Sequence, residues 1–326
     1  MHPPCRAALA GLVALALAGA APIAAFRQDV TLAYKWTSGD TIRYRMIQQT
    51  TSTISGLPGG MPDVTVEQMT DQLFRTTVES VAPDGTTVLR QVIESMRMNV
   101  DSPMGKIAFD SSKPASSTDP AAAAMTSVFS ALIGESFLVT LDPTGIVQKV
   151  DGFSRVMENV FKKMPAGAGG PVLEGIKAGL NDDAVKNMFA QSFAQFPNRA
   201  LKIGEQWENK LTVPNPVLGA IITTSSSTLA GVDQTGGGQV AKIATRLKIE
   251  RDPSATAVAV PMGMKADLQP SSGEGEVLFD IAKGRVQRGT TRLSLPMTMS
   301  GTGPDGAALN MLSNAKTTLT VELVEK

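Results

Sequence analysis

"YKWTSGDTIRYRMIQQ" runs from Tyr34 to Gln49, and a looser copy, "LKIGEQWENKLTV", runs from Leu201 to Val213. Each places a glycine before an acid, Gly39-Asp40 and Gly204-Glu205, and then starts an alternating run. In the first copy Ile42, Tyr44 and Met46 alternate with Arg43 and Arg45. Period-two alternation puts one set on each face of a strand. Glycine is the default residue where φ turns positive. Both pairs therefore read as a turn that opens a strand, in preference to two carboxylates of one binding site.

The echo continues downstream. The first copy goes on to a long strand and then "VAPDGTTVLRQVIESMRM" (81–98); the second goes on to a long strand and then "VDQTGGGQVAKIATRLKI" (232–249). "FLVTLDPTGIVQKV" (137–150) is followed in the same order by "EVLFDIAKGRVQRG" (276–289). With one residue added in the turn, Gly145–Lys149 lies over Gly284–Arg288. Opening turn, long hairpin and short hairpin recur in order, which predicts two related β halves.

The strands carry further alternation. Val88, Val92, Met96, Met98 and Val100 are expected on one face, as are Ala241, Ile243, Thr245, Leu247 and Ile249. Leu293, Leu295, Met297 and Met299 form a third set, and Leu319, Val321 and Leu323 a fourth. Pro and Gly mark turns at Ala82–Gly85 and Asp142–Gly145. Between the halves the period changes. Residues 119–134, 151–164 and 171–196 read as helices, the last with Val185, Met188, Phe189, Ser192, Phe193 and Phe196 on one stripe.

One-sided antiparallel strands must bury their apolar face. The fold class expected is α+β, mostly β: two related antiparallel β halves, as a curved sheet, half-barrel or sandwich, with a helical segment between them. The divisions are a signal peptide over 1–25, a first β half with one short helix over 26–150, a helical connector or cover over 151–199, and a second β half over 200–326.

"MHPPCRAALAGLVALALAGAAPIAAF" (1–26) gives the signal reading. A basic residue, Arg6, precedes an Ala- and Leu-rich run that ends in small residues. An uncleaved anchor is the rival, but Ala and Gly leave the run weakly hydrophobic. Cys5 precedes the apolar run, unlike a lipoprotein's acylated cysteine. Cleavage would place the protein in the periplasm or outside the cell with no transmembrane segment. It would also remove His2 and Cys5, the sole His and Cys. The rest of the chain then offers no His or Cys for zinc, for a disulfide or for a His-assisted nucleophile. Lys plus Arg number 30 and Asp plus Glu 30, with no run of like charge, so no nucleic-acid footprint exists.

Tyr34-x-Trp36-x-x-Gly39-Asp40-x-x-x-Tyr44-x-x-x-Gln48, with the "DPTG" hairpin and "KIGEQW", resembles an uncharacterised family of secreted bacterial proteins, a domain of unknown function. The likeness covers nearly all of the chain after the signal and implies no catalytic residues. The layout is also similar at fold level to periplasmic lipoprotein carriers of the LolA/LolB type, in which a curved antiparallel sheet and covering helices enclose an apolar groove.

Other motifs read as structure. "GTGPDG" (301–306) has dinucleotide-loop spacing but lacks the helix and parallel strand that such a loop requires, so a hairpin turn is expected. Ser313-Asn-Ala-Lys316 matches a serine-enzyme motif but sits in β-type sequence. The pairs Met96/Met98, Met262/Met264 and Met297/Met299 suit a core or groove wall better than a copper site.

The functional expectation is an exported non-enzymatic protein that takes a lipid or other apolar ligand, or a lipoprotein, in a groove between sheet and helices. The alternative is a structural or interaction protein of the cell envelope with a filled core and a protein partner. Met96, Met98, Met297, Met299, Met188, Phe189 and Phe193 are the candidate groove lining. No catalytic residue, cofactor or metal is expected.

Overall fold

The computed structural model describes residues 29–103, 105–113, 120–162, 182–192, 196–197, 199–215, 218–235, 237–254, 265–302 and 308–324. The signal stretch, Met262, Met264, Phe193, the tip of the 301–306 turn and parts of all three expected helices lie outside those residues.

The first half holds β1 (Val30–Thr31), β2 (Thr41–Ser55), β3 (Val64–Val81), β4 (Thr87–Ser102), β5 (Gly105–Asp110), β6 (Ser136–Leu141) and β7 (Val147–Asp151). The second holds β8 (Ala200–Leu201), β9 (Gln206–Asn215), β10 (Gly219–Thr235), β11 (Gly238–Arg251), β12 (Lys265–Leu268), β13 (Ser271–Asp280), β14 (Arg285–Thr302) and β15 (Ala308–Val324). Three helices are described: α1 (Pro120–Leu132), α2 (Phe153–Lys162) and α3, Asp182–Ser192.

One antiparallel sheet of 13 strands takes nearly all of these, in the order β7-β6-β4-β3-β2-β15-β14-β13-β11-β10-β9. β5 adds to β4 and β12 to β14, while β1 and β8 pair separately. The sheet is not closed into a barrel. A single sheet replaces the sandwich alternative. Its order is two copies of one pattern, with β2-β3-β4-β6-β7 matching β9-β10-β11-β13-β14. β15 has no counterpart and bridges β14 to β2.

Backbone hydrogen bonds match across the copies. Gly39 N–H donates to the Val78 carbonyl at 2.8 Å, and Val78 N–H donates back to Asp40 at 2.9 Å. Gly204 N–H donates to Leu229 at 2.8 Å, and Leu229 N–H donates back to Glu205 at 3.1 Å. The two glycines have φ of 90° and 88°. The register then slips between Val78 and Ser80 in one copy and between Leu229 and Gly231 in the other. The Gly-acid pairs are turns, as their sequence predicts.

The alternation in β11 is as expected: Ala241, Ile243 and Ile249 are buried, while Lys242, Arg246, Lys248 and Glu250 are exposed. β4 requires a correction. Val88, Val92, Met96, Met98 and Val100 do not share a face, because the ladder shifts between Leu73 and Phe74, leaving Glu94 as the extra residue of a bulge. Leu89, Gln91 and Ile93 turn inward before the bulge, and Met96 and Met98 turn inward after it. Glu94 stays outside, where its carboxylate takes hydrogen bonds from Arg43 Nε (2.7 Å) and Arg75 Nε (2.8 Å).

Three apolar clusters fill the inner side. Helices α1–α3 pack with Val78, Leu89, Val139, Leu141, Val147 and Val150, and this cluster extends to Leu211 on β9. Val30, Leu32, Phe196 and Leu201 cover Leu229, Ala241, Ile243 and Phe279. Ile93, Met96, Met98 and Phe109 form the third cluster, against Phe129 of α1.

Candidate functional site

Between these clusters the inner face of the sheet is not filled. A cavity of about 340 Å³ remains, bounded by the sheet, α3 and the segment around Tyr34. This size falls within the range of small-molecule sites.

Strand register explains the lining. One row crosses the sheet from Trp207 through Ser227, Thr245, Gly275 and Thr291 to Leu319. The next row runs from Ile243 through Val277 and Gly289 to Val321 and Met46. All but a few of these side chains are mid-sized or large, and Gly289 leaves a gap in the wall, whereas a Cβ on Gly275 would sit 3.2 Å from Thr291 Oγ1. A Cβ on Gly289 would meet nothing closer than Val277 Cγ2 at 3.8 Å. A glycine inside a strand often marks a place where a ligand approaches the backbone.

Aromatic residues close one end. Tyr34 and Trp36, two apart on an extended segment, stack with ring centroids 5.5 Å apart. Tyr34 also meets Phe196 at 5.3 Å and Phe279 at 5.8 Å. Lys35, between them, points away and donates through Nζ to the carbonyls of Ile281 (3.0 Å) and Ala282 (3.2 Å). Tyr44 donates to the Val286 carbonyl at 3.0 Å. Burial pushes the Tyr44 phenol well above its ordinary range, against a smaller opposing effect of Arg285, so it stays neutral. The chain has two tryptophans and two tyrosines, and all four line this cavity.

α3 forms the cover. Its first residue is clasped to α2: Ser154 N–H donates to Asp182 Oδ1 at 2.8 Å and Asp182 N–H donates to Ser154 Oγ at 3.2 Å. Phe189 then stands edge-on to Phe137 at 5.6 Å and faces the cavity with Ala190.

Among the described residues that line the cavity, none is charged. The polar ones are hydroxyls and two amides. Ser227 Oγ and Thr245 Oγ1 are 2.9 Å apart. On the opposite wall Thr76 Oγ1 donates to Gln91 Oε1 at 2.8 Å.

Of the lining residues expected from sequence, Phe189 is at the cavity. Met96 and Met98 belong to the separate cluster with Phe109. Met297 and Met299 lie farther along β14, paired with Leu268 and Ala266 of β12, and do not line the cavity. The side chain of Met188 and all of Phe193 lie outside the described residues. Sequence reasoning missed Gln91, Thr76, Ser227 and the two tryptophans. The one signal for them is that Trp and Tyr are so few and that all four stand in the two copies of the opening motif. Among the described residues no group of three or more His, Cys, Asp or Glu is placed to hold a metal ion. Among the same residues no helix is long and apolar enough to cross a membrane.

Residues 84–285 match a family described as a family of unknown function, DUF6263. The chain belongs to this family. The match takes in the β4–β13 region with the helices, and so includes Gln91, Phe189 and most of the cavity wall from the second half. No curated protein matches in sequence. Among solved structures, the chain is similar to lipovitellin (TM-score 0.44, 9% identity), over 89% of this chain and 26% of that one. It therefore spans about a quarter of the lipovitellin chain. It is also similar to an outer membrane channel from Pseudomonas putida F1 (TM-score 0.23, 11% identity), over 89% of this chain and 97% of that one. A third is DynF of the dynemicin pathway of Micromonospora chersina (TM-score 0.20, 8% identity, 88% and 82% coverage). Likeness at this level fixes no function.

Proposed function

We propose that this chain is an exported, non-enzymatic binding protein that holds one lipid-like molecule in the cavity between the curved sheet and α3. One observation carries the reading: the cavity is walled by uncharged, mostly apolar side chains, and Gly289 leaves open space in that wall. Apolar surface left facing water inside a protein is unfavourable, and an apolar occupant removes that cost. The likeness to lipoprotein carriers remains one of layout, in which a sheet and its covering helices enclose a groove.

The test is organic extraction of protein purified without detergent, followed by mass spectrometry. The reading expects one lipid class in near-stoichiometric amount, and uptake of added lipid by protein from which it has been stripped. A lipid-free protein that takes up none would favour the filled-core envelope protein instead.

A further inference from the structure

Gln91 narrows the class of ligand. It lies on β4, faces the cavity and is only 2% exposed. Its Oε1 accepts the Thr76 hydroxyl, and Thr76 is itself buried. The amide nitrogen has two further protons that no described residue accepts, and it is not among the fully buried polar atoms: it opens onto the cavity. A donor that opens onto an apolar cavity is met only by water or by an occupant there. Leu and Val at these two positions would fill the same space with no donor left to meet, so packing alone does not call for the pair.

The wall formed by β10 and β11 adds a second donor. In the Ser227–Thr245 pair only one proton lies between the oxygens. The other hydroxyl proton is left to donate elsewhere. Both walls thus offer hydrogen-bond donors, and the lining among the described residues holds no cation to neutralise an anion. A carboxylate brought here would be desolvated with no cation in the lining to pair it; Arg285 acts on Tyr44 only from outside the lining. A bare hydrocarbon would leave the Gln91 amide unmet.

We propose that the occupant is an uncharged amphiphile that presents a carbonyl oxygen, an ester or amide, to the Gln91 amide. This rests on the cavity being a lipid site. The experiment compares three probes of one chain length by tryptophan fluorescence of the full chain: a fatty-acid methyl ester, the free fatty acid well above its pKa, and the hydrocarbon. The ester is expected to bind roughly tenfold more tightly than either of the others, the scale of one good hydrogen bond. In the double variant Thr76→Val with Gln91→Leu the ester-to-hydrocarbon affinity ratio is expected to fall toward one, while the urea midpoint holds or rises. A carboxylate bound as tightly as the ester, or an ester preference that survives the double variant, overturns the carbonyl assignment alone. If none of the three probes perturbs the wild-type fluorescence, the lipid site itself is wrong and this assignment falls with it.

Discussion

Asp142 and Asp280 hold the same position in the two halves. Gln148 donates its side-chain amide to Asp142 Oδ2 at 3.2 Å, and Gln287 donates to Asp280 Oδ2 at 3.3 Å. Each glutamine is the extra residue of a bulge in its hairpin. The other carboxylate oxygen ties the turn, taking Thr144 N–H and Ile146 N–H in one half and Lys283 N–H in the other. Burial alone would push the Asp142 carboxyl up, but the hydrogen bonds from Thr144, Ile146 and Gln148 together hold it below its ordinary value. Asp280 is the more deeply buried, at 3% exposed. Replacing Asp280 by Ala should therefore lower stability by about 2 kcal/mol, and Asp142→Ala by about 1 kcal/mol. Urea unfolding of both variants measures the difference, and equal midpoints would show that the two turns are not graded by burial.

Acid should weaken the first half through Glu94. Hydrogen bonds from Arg43, and then from Arg75, hold its carboxyl below the usual range, against some desolvation. A carboxyl depressed in the folded state contributes its stabilisation above the unfolded value, about 4.3 for glutamate, and loses it as pH falls through the folded value. The triad is partly exposed, so Glu94→Gln should cost about 1 kcal/mol at neutral pH. Urea midpoints of the variant and wild type should converge as pH drops below that window. Parallel curves down to the acid end would remove Glu94 from the account.

Gly284 fixes the aromatic end of the cavity. Its φ is 60°, and a Cβ there would sit 2.4 Å from the Lys35 nitrogen. Lys35 N–H donates to the Gly284 carbonyl at 3.2 Å. Gly284→Ala should push away the segment that carries Tyr34 and Trp36, costing about 1–3 kcal/mol and shifting tryptophan emission to the red. Gly204→Ala, with the same backbone strain but open space around it, should leave the emission unchanged.

The sequence made the two-fold layout legible because its repeated opening turns, hairpin order and inward sets in β2, β11 and β15 all rest on period-two alternation. It left sheet and sandwich equivalent, since both bury the same faces; β15, the unrepeated strand that joins the copies, decides between them. It misplaced β4 for a definite reason. A bulge changes the parity of a strand by one residue, and no residue type announces that Glu94 is the extra one. The set expected on one face, from Val88 to Val100, leaves Gln91 on the opposite face, although it faces the cavity. Of the methionine doublets, Met96 and Met98 are buried on the apolar face, in a stretch of it that α1 and β5 fill.

The most direct measurement of the central claim uses Gly289, a lining residue whose Cβ would meet Val277 Cγ2 at 3.8 Å and the Glu276 carbonyl at 4.0 Å, both ordinary contacts. Both tryptophans line the same space, so a brominated fatty-acid ester that enters it should quench their fluorescence in a saturable way. Gly289→Leu should reduce that affinity at least tenfold while the urea midpoint holds or rises, because the side chain fills the hollow and a strand glycine is lost. Saturable quenching by the wild type that the variant loses is the predicted result. An absence of saturable quenching in the wild type, or equal affinity in Gly289→Leu, would contradict a ligand in this cavity.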